Sequence, residues 1–189
     1  MEDLNNEINN ALTILKKGGV ILYPTDTVWG IGCDATNAEA VDKVYELKRR
    51  NEEKALICLV SDLRMLEQFI EEVPEAAYDI LKHSNKPTTI VYDKPIRVAE
   101  NLVGSDDTLG IRVTKDKFCQ QLIRKLKRPL VSTSANISGE QTPESFNQIS
   151  SEILKGVDYV VNLHQSKQSA KPSAIIKLSN DGKVKVIRK

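Results

Sequence analysis

The sequence has few cysteines, and their positions suit neither cross-links nor zinc. Cys33, Cys58 and Cys119 lie far apart, and no pair has the two-residue spacing of zinc and redox motifs. This arrangement argues against a disulfide scaffold and against structural zinc. Because the number is odd and the chain opens without a secretory segment, we expect reduced thiols.

Long apolar runs are also missing. No stretch approaches the ~18 apolar residues of a membrane-spanning helix. The opening residues are polar and have a helical pattern, which is not the pattern of a targeting segment. We therefore predict a soluble cytoplasmic protein that has no membrane partner.

The chain also lacks an excess of charge of one sign. It has 27 basic and 26 acidic residues, and aromatic residues make up only 5% of it. A near-neutral chain with few aromatic residues is a poor candidate for a broad nucleic-acid surface. The two histidines, His83 and His164, have no partner at metal-ligand spacing, so we predict no metal-binding residues.

Helical and strand patterns alternate along the whole chain, which indicates an α/β class and one domain over residues 1–189. Residues 174–177 and 184–187 read as strands whose connection is too short for a crossover helix, so the sheet should be mixed. We expect no additional C-terminal domain.

Two helix starts are predicted from local motifs. Thr36 and Glu39 have capping-box spacing for a helix to about Arg50, and Thr142 and Pro143 predict the start of a helix through Leu154.

One apolar strand pattern ends in a run of small polar residues. Residues 128–139 read RPLVSTSANISG, and the short side chains supply donors and acceptors without bulk. Alternation along a strand end predicts that Ser132, Ser134 and Asn136 share one face. The same residue types are typical of an ordinary polar loop that caps the next helix, and the segment alone does not decide between the two readings.

Cationic side chains occur at two places where each has two explanations. Lys48, Arg50 and Lys54 follow a predicted helix, where they either compensate the helix dipole or converge on a polyphosphate. Arg112 lies within the short apolar strand GIRV, so its guanidinium either faces solvent or points to an anion in a site. Similarly, Asp26 either caps a simple bend or belongs to a turn whose glycines allow close approach of a ligand.

Five segments, taken in order, carry a resemblance to a known family. They read YPTDTVWGIGCD (23–34), ELKRR (46–50), GIRV (110–113), RPLVSTSANISG (128–139) and KPSAII (171–176). The ordered set of PTDT, KxR, SxN and a late PS resembles the motifs of the YrdC-like threonylcarbamoyl-AMP synthase family, and it spans nearly the whole chain.

The resemblance implies a twisted, open, mixed sheet with flanking helices around a large concave basic cavity. There, L-threonine, bicarbonate and ATP with Mg²⁺ would give threonylcarbamoyl-AMP and pyrophosphate, for threonylcarbamoyladenosine modification of tRNA by downstream proteins. Family members are also associated with double-stranded RNA.

The ATP site implied by the resemblance consists of Lys48, Arg50, Lys54, Thr108, Ser134, Asn136, Thr142 and Arg188. Among these, the residues expected to be catalytic are Lys48, Arg50, Ser134 and Asn136. The implied threonine site consists of Thr27, Arg112, Ser132 and Ser173, with Arg112 facing the carboxylate.

The sequence departs from the family pattern at four places. Residues 85–87 read Asn-Lys-Pro where the family usually has Pro-Gly-Pro, and Asn51, Thr114 and Ala174 stand where it has proline, proline and threonine. The alternative function is therefore a divergent paralogue that binds nucleotide or double-stranded RNA in the same cavity without synthase turnover.

Overall fold

A computed structural model describes residues 3–49 and 56–189. Each of the longer helices buries one apolar stripe, and five of the six described α-helices begin at a side chain that accepts a hydrogen bond from a backbone N–H of the first turn. Among the described residues, the α-helices are α1 (Leu4–Lys16), α2 (Ala38–Leu47), α3 (Leu63–Phe69), α4 (Glu75–His83), α5 (Lys117–Leu126) and α6 (Ser151–Gly156). Short 3₁₀ turns are formed by Glu100–Leu102 and Phe146–Gln148.

The strands are short and rich in β-branched residues, as expected of a buried sheet. They are β1 (Ile21–Tyr23), β2 (Gly30–Gly32), β3 (Ile57–Val60), β4 (Thr88–Asp93), β5 (Thr108–Val113), β6 (Leu130–Ser134), β7 (Tyr159–Val160), β8 (Ala174–Leu178) and β9 (Val184–Arg188).

These strands form one open sheet in the order β7-β1-β2-β6-β3-β5-β4-β8-β9. Three neighbouring pairs are parallel (β1 with β7, β3 with β5, and β4 with β8), and the other five are antiparallel. The predicted α/β class and mixed sheet are confirmed. The β8–β9 hairpin supplies the last antiparallel pair, as its short connection requires.

A hydrophobic core lies on each face of the sheet. One core joins α1 and α5 to residues such as Ile21, Leu59 and Leu130, whereas the larger core packs the other helices against residues such as Leu22, Val131 and Ile111. Neighbouring residues on one strand thus enter opposite cores, as the two-residue period of a strand requires. Ile57 and Ser132, which line a cavity, lie two residues from Leu59 and Leu130 of this first core, so the cavity opens on the face that α1 and α5 cover.

Two helix predictions were wrong in detail. The N-cap of α2 is Asn37, whose Oδ1 accepts from the Ala40 N–H at 3.1 Å, while the Thr36 hydroxyl donates to Asp34. No helix begins at Thr142: Ser145 is extended and bridges to Gln168, and α6 starts only after Ser150. Because of this bridge, residues 142–145 are extended instead of helical, and they can form part of a cavity wall.

The length and hydropathy of the helices decide whether they could span a membrane. None of the helices in residues 3–49 and 56–189 is long and apolar enough to cross a membrane.

Candidate functional site

A cavity of about 210 Å³ opens on the sheet face that carries α1 and α5, and residues of β2, β3, β5, β6 and β8 line it. Its walls combine hydroxyls, two arginines and a few apolar side chains. The lining residues are Thr27, Val28, Gly30, Leu56, Ile57, Arg112, Ser132, Thr133, Ser134, Thr142, Pro172, Ser173, Ile175 and Arg188.

Small residues of two strands flank Ile57 at the floor of the cavity. Ile57 pairs with Ser132 of β6 on one side and with Gly110 of β5 on the other, and paired residues point to the same face. A Cβ on Gly30, which pairs with Ser134, would lie 3.3 Å from Ser132 Oγ and 3.2 Å from Tyr23 Cζ. These small side chains therefore leave the space that forms the cavity.

The guanidinium of Arg112 lies at the bottom of the cavity and is only 2% exposed. Its Nη1 donates to Thr27 Oγ1 at 3.1 Å, and its Nη2 lies 3.2 Å from Asp26 Oδ1. Among the residues that the structure describes, Arg112 Nε has no hydrogen-bond partner. The solvent-facing reading of this arginine is wrong, because the guanidinium is buried and lines the cavity.

The turn that holds Thr27 and Asp26 is built by its own hydroxyls. Thr25 Oγ1 accepts from the Thr27 N–H at 2.9 Å and donates to the Val28 carbonyl at 2.8 Å. This local bonding fixes the turn between β1 and β2. The result is that a hydroxyl and a carboxylate from adjacent residues both reach Arg112.

A second buried hydroxyl pair lies on the opposite wall. Thr89 and Ser173 are linked by a 2.8 Å hydrogen bond between their hydroxyls, and the Arg188 Nε donates to the Ser173 carbonyl at 2.9 Å. Burial lowers the pKa of Arg188, and the charge of Arg112 lowers it further. Two cations that repel each other across a cavity favour an anion between them.

Lys48 has a different position from the one expected of a phosphate ligand. It is 1% exposed and does not line the cavity. Its ammonium donates to the Asn136 carbonyl at 2.7 Å and to the Ser134 carbonyl, and the Lys48 carbonyl accepts from the Ser138 N–H at 2.9 Å. Lys48 thus fastens the end of α2 to the loop that follows β6.

The expected alternation after Leu130 holds for two residues of three. Ser132 and Ser134 both line the cavity, but Asn136 lies beyond the end of β6 and its amide donates to the carbonyls of Ile137 and Glu140 at 2.9 Å. The strand period cannot apply to Asn136 because the strand has already ended. Its side chain holds the loop, while its carbonyl accepts from Lys48.

One further predicted nucleotide ligand, Thr108, is not brought to this cavity. Thr108 begins β5, about 13 Å along the strand from Arg112, and its hydroxyl donates to Asp106 at 2.6 Å. Arg50 and Lys54 lie outside the described residues. Thr142 and Arg188 do line the cavity, as do all four predicted threonine-site residues, Thr27, Arg112, Ser132 and Ser173.

Sequence reasoning missed the apolar part of the wall and the support behind the hydroxyls. Ile57 and Ile175 line the cavity, and Thr89 is the buried partner of Ser173. Alternation within β3 and β4 was a usable signal for these residues, but only the sheet order shows which face is open. Asp26 was singled out only as a neighbour of the pocket, and its pairing with Arg112 required the structure.

The described side chains around the cavity do not form a metal-binding group. Within residues 3–49 and 56–189, no group of three or more His, Cys, Asp or Glu side chains could hold a metal ion. Asp26, the carboxylate beside the cavity, already faces Arg112.

The sequence of the chain is similar to those of known proteins. A family model for Sua5, YciO and YrdC proteins, described as telomere recombination, matches residues 13–189. The threonylcarbamoyl-AMP synthase of Idiomarina loihiensis is 33% identical over 168 residues, which cover 87% of this chain and 90% of that protein. A putative threonylcarbamoyl-AMP synthase of Methanocaldococcus jannaschii is 36% identical over 95% of this chain and 86% of its own length.

Solved structures agree on the fold. E. coli YciO superimposes with a TM-score of 0.85 at 26% identity, over 99% of this chain and 90% of its own. P. abyssi Sua5 complexed with L-threonine gives 0.80 at 27% identity over 90% of this chain, which spans only 50% of the Sua5 chain. From the family model and these relatives together, the chain belongs to the Sua5/YciO/YrdC family.

Proposed function

We propose that this protein is a threonylcarbamoyl-AMP synthase, which converts L-threonine, bicarbonate and ATP to threonylcarbamoyl-AMP and pyrophosphate. The product would be consumed in threonylcarbamoyladenosine modification of tRNA. One observation carries the proposal: a fully buried guanidinium, Arg112, keeps its Nε unpaired among the described residues at the bottom of a cavity lined by hydroxyls. An α-carboxylate satisfies such a donor better than a neutral group does.

The threonine end of the cavity is supported by the groups around Arg112. Arg112 Nη2 lies close to Asp26 Oδ1, yet this oxygen has no well-aligned hydrogen bond among the described residues. The ion pair therefore does not commit the N–H groups of Arg112, and they can donate to a substrate carboxylate. The hydroxyls of Thr27, Ser132 and Ser173 would position the amine and the side-chain hydroxyl of threonine. P. abyssi Sua5, a structural relative, has been solved with L-threonine.

The nucleotide end would lie toward Ser134, Thr142 and Arg188, which line the other side of the cavity. Arg188 would contact phosphate oxygens directly, and Arg50 and Lys54 are proposed to do the same. Lys48 and Asn136 instead position the loop that presents Ser134, because the Lys48 ammonium and the Asn136 side-chain NH₂ donate to backbone carbonyls. Thr108 is left out of the proposed site because it lies in a separate cluster with Asp106.

The chemistry requires positioning and charge compensation, without a protein nucleophile. The threonine amine forms a C–N bond to the carbon of bicarbonate, and water leaves to give a carbamate. One oxygen of that carbamate attacks the α-phosphorus of ATP, and pyrophosphate leaves with the electron pair of the broken P–O bond. Negative charge on the phosphoryl oxygens is greatest during this transfer, so fixed cations such as Arg188 lower the barrier.

Magnesium enters this proposal as part of the substrate, bound to the phosphates of ATP. The described side chains do not provide a carboxylate cluster for it, so no step is assigned to a protein-held metal. A hydrated ion held through phosphates is the usual arrangement for Mg²⁺ in nucleotide sites.

The proposal is tested by pyrophosphate release from the purified full chain with ATP, magnesium and bicarbonate. We expect release to depend on L-threonine, and we expect Arg112→Ala to remove that dependence while Arg128→Ala, a control at an arginine that is 55% exposed and pairs with Asp34, retains it. Release that is the same with and without threonine would overturn the proposal. It would favour nucleotide or RNA binding without turnover, which relatives named as synthases do not support.

A further inference from the structure

A second cavity, of about 530 Å³, lies apart from the cavity described above and is mainly apolar. It opens between α3, α4 and the end of β5. Partly exposed apolar side chains form its walls, namely Leu63, Tyr78, Leu81, Pro87 and Val113. We call it the side cavity. Its size falls in the range of about 300–1,000 Å³ that is usual for small-molecule sites.

The rim of the side cavity carries positive charge. Lys82, Lys86 and Lys115 border it, and among the described lining residues the one carboxylate is that of Asp26. That carboxylate already faces Arg112 at 3.2 Å, so the rim presents a net excess of cations to a ligand. Apolar walls with a cationic rim complement a molecule that has an apolar body and one anionic end.

One of these lysines belongs to the segment that shapes the rim. Residues 84–88 line the side cavity, and Lys86 is an exposed residue within that segment. Its charge therefore lies at the mouth of the cavity.

The side cavity shares one residue with the machinery of the main site. Asp26 lines it, accepts a long hydrogen bond of 3.4 Å from the Lys115 N–H, and contacts Arg112 on its other side. An anion bound at the rim would place negative charge next to Asp26 and so oppose the positive potential at Arg112. Occupation of the side cavity should therefore weaken carboxylate binding in the main cavity.

We propose that the side cavity is a regulatory site for small apolar carboxylates, with the apolar body against Leu81 and Val113 and the carboxylate at the lysine rim. The ligand class follows from the shape and charge of the cavity alone. The regulatory effect rests also on the proposed function, because it is measured on threonine binding.

Sodium octanoate is the first probe, titrated calorimetrically into the full chain without ATP or threonine. We expect saturable binding to one site, weakened at least about tenfold by Leu81→Asp through loss of apolar contact. Leu12→Asp, at a partly buried leucine of α1 on the other face of the sheet, should leave octanoate binding unchanged.

Lys86→Glu, at an exposed position, tests the charge of the rim. Its folding should be unaffected, and octanoate binding should be weaker. 1-Octanol, which lacks the charge, should bind more weakly than octanoate.

Several results would overturn the site. These are no saturable binding, equal binding by Leu81→Asp and the parent, or equal binding of octanol and octanoate. A dimer that dissociates on Leu81→Asp would assign the cavity to a second copy of the chain and would also overturn the proposal.

The regulatory effect is tested separately from the site. With octanoate saturating, the Kd of L-threonine should rise by about twofold to fivefold, and by linkage threonine should weaken octanoate to the same extent. An unchanged threonine Kd alongside normal octanoate binding would remove the regulatory role. If the protein binds no threonine at all, the proposed function fails first, and the octanoate titration still decides whether the site exists.

Discussion

Arg112 shows how a single residue is assigned its role by its surroundings. On the sequence alone, an arginine in GIRV faced either solvent or an anion. The structure decides because β5 lies between β3 and β4, which leaves only the two sheet faces, and the face of Arg112 is the cavity floor. The orientation could not be predicted because it depends on strands that are distant along the chain.

A substitution of Arg112 by lysine keeps the positive charge and removes the planar guanidinium. Arg112→Lys should weaken L-threonine about tenfold to a hundredfold, because an ammonium cannot make two parallel hydrogen bonds to a carboxylate while it also contacts Thr27. Isothermal titration measures the affinity, with Arg128→Lys as the matched control at an exposed arginine. Threonine affinity in Arg112→Lys that equals the parent value would contradict the assignment.

Lys48 acts at the scale of elements, since it joins α2 to the loop after β6. A lysine at the end of a helix is usually explained by the helix dipole or by a ligand, and both readings were open in the sequence. Its contacts with the carbonyls of Ser134 and Asn136, 86 and 88 residues away along the chain, are long-range and leave no local pattern. By contrast, the caps Asp62 of α3 and Asp116 of α5 accept from N–H groups three residues further along the chain, so they leave a local pattern in the sequence.

Replacement of this link should affect stability and nucleotide affinity together. Lys48→Met leaves two carbonyls without their charged donor, at about 1.5–3 kcal/mol for each lost bond, so the free energy of unfolding should fall by roughly 3 kcal/mol or more. ATP should bind more weakly because the Ser134 loop loses its anchor, whereas threonine affinity should change little. Lys43→Met is the control on the same helix, at an exposed lysine that donates to the Gly18 carbonyl. Parent-like stability and ATP affinity in Lys48→Met would show that Lys48 does not position the loop.

The wrong prediction of a helix from Thr142 has a cause at the same scale. Residues 142–154 have apolar spacing that suits a helix, but the bridge between Ser145 and Gln168 holds the first part extended, and Phe146 packs on Trp29 with ring centroids 4.9 Å apart. Tertiary contacts outweigh propensity here, where local preference differs by only a few tenths of a kcal/mol per residue. The same bridge brings Thr142 to the cavity wall.

For the whole molecule, the class of fold follows from the sequence, whereas the order of strands does not. The alternating pattern and the short β8–β9 connection were sufficient for a mixed α/β sheet. The insertion of β6 between β2 and β3 joins residues from both halves of the chain, and no local signal encodes it. The cavity therefore depends on global topology even though each of its motifs is visible in the sequence.

The buried thiols give the folded molecule a defined response to alkaline pH. Burial raises the pKa of Cys58 to about 12 and raises the pKa values of Cys33 and Cys119 as well. An unfolded thiol ionises from about pH 8.5, so the unfolded state releases protons first, and this contribution to stability is lost as pH rises above that value. Each thiol should lower the free energy of unfolding by about 1.2 kcal/mol between pH 9 and pH 10.

Urea denaturation at pH 9 and pH 10 measures this slope. Cys58→Ala should reduce the loss between the two pH values by about 1.2 kcal/mol, even though its absolute stability is lower because a buried group is removed. An identical slope in the variant and the parent would show that Cys58 ionises equally in the folded and unfolded states.

The central claim is that one cavity joins threonine, bicarbonate and ATP. Its most direct test is mass spectrometry of the adenylate formed by the full chain from ATP, L-threonine and ¹³C-bicarbonate, sampled quickly because a mixed anhydride hydrolyses. The account predicts threonylcarbamoyl-AMP that carries a single ¹³C, and none from Arg112→Ala. Formation of AMP and pyrophosphate without a ¹³C-labelled adenylate, or no turnover by the folded protein, would contradict it.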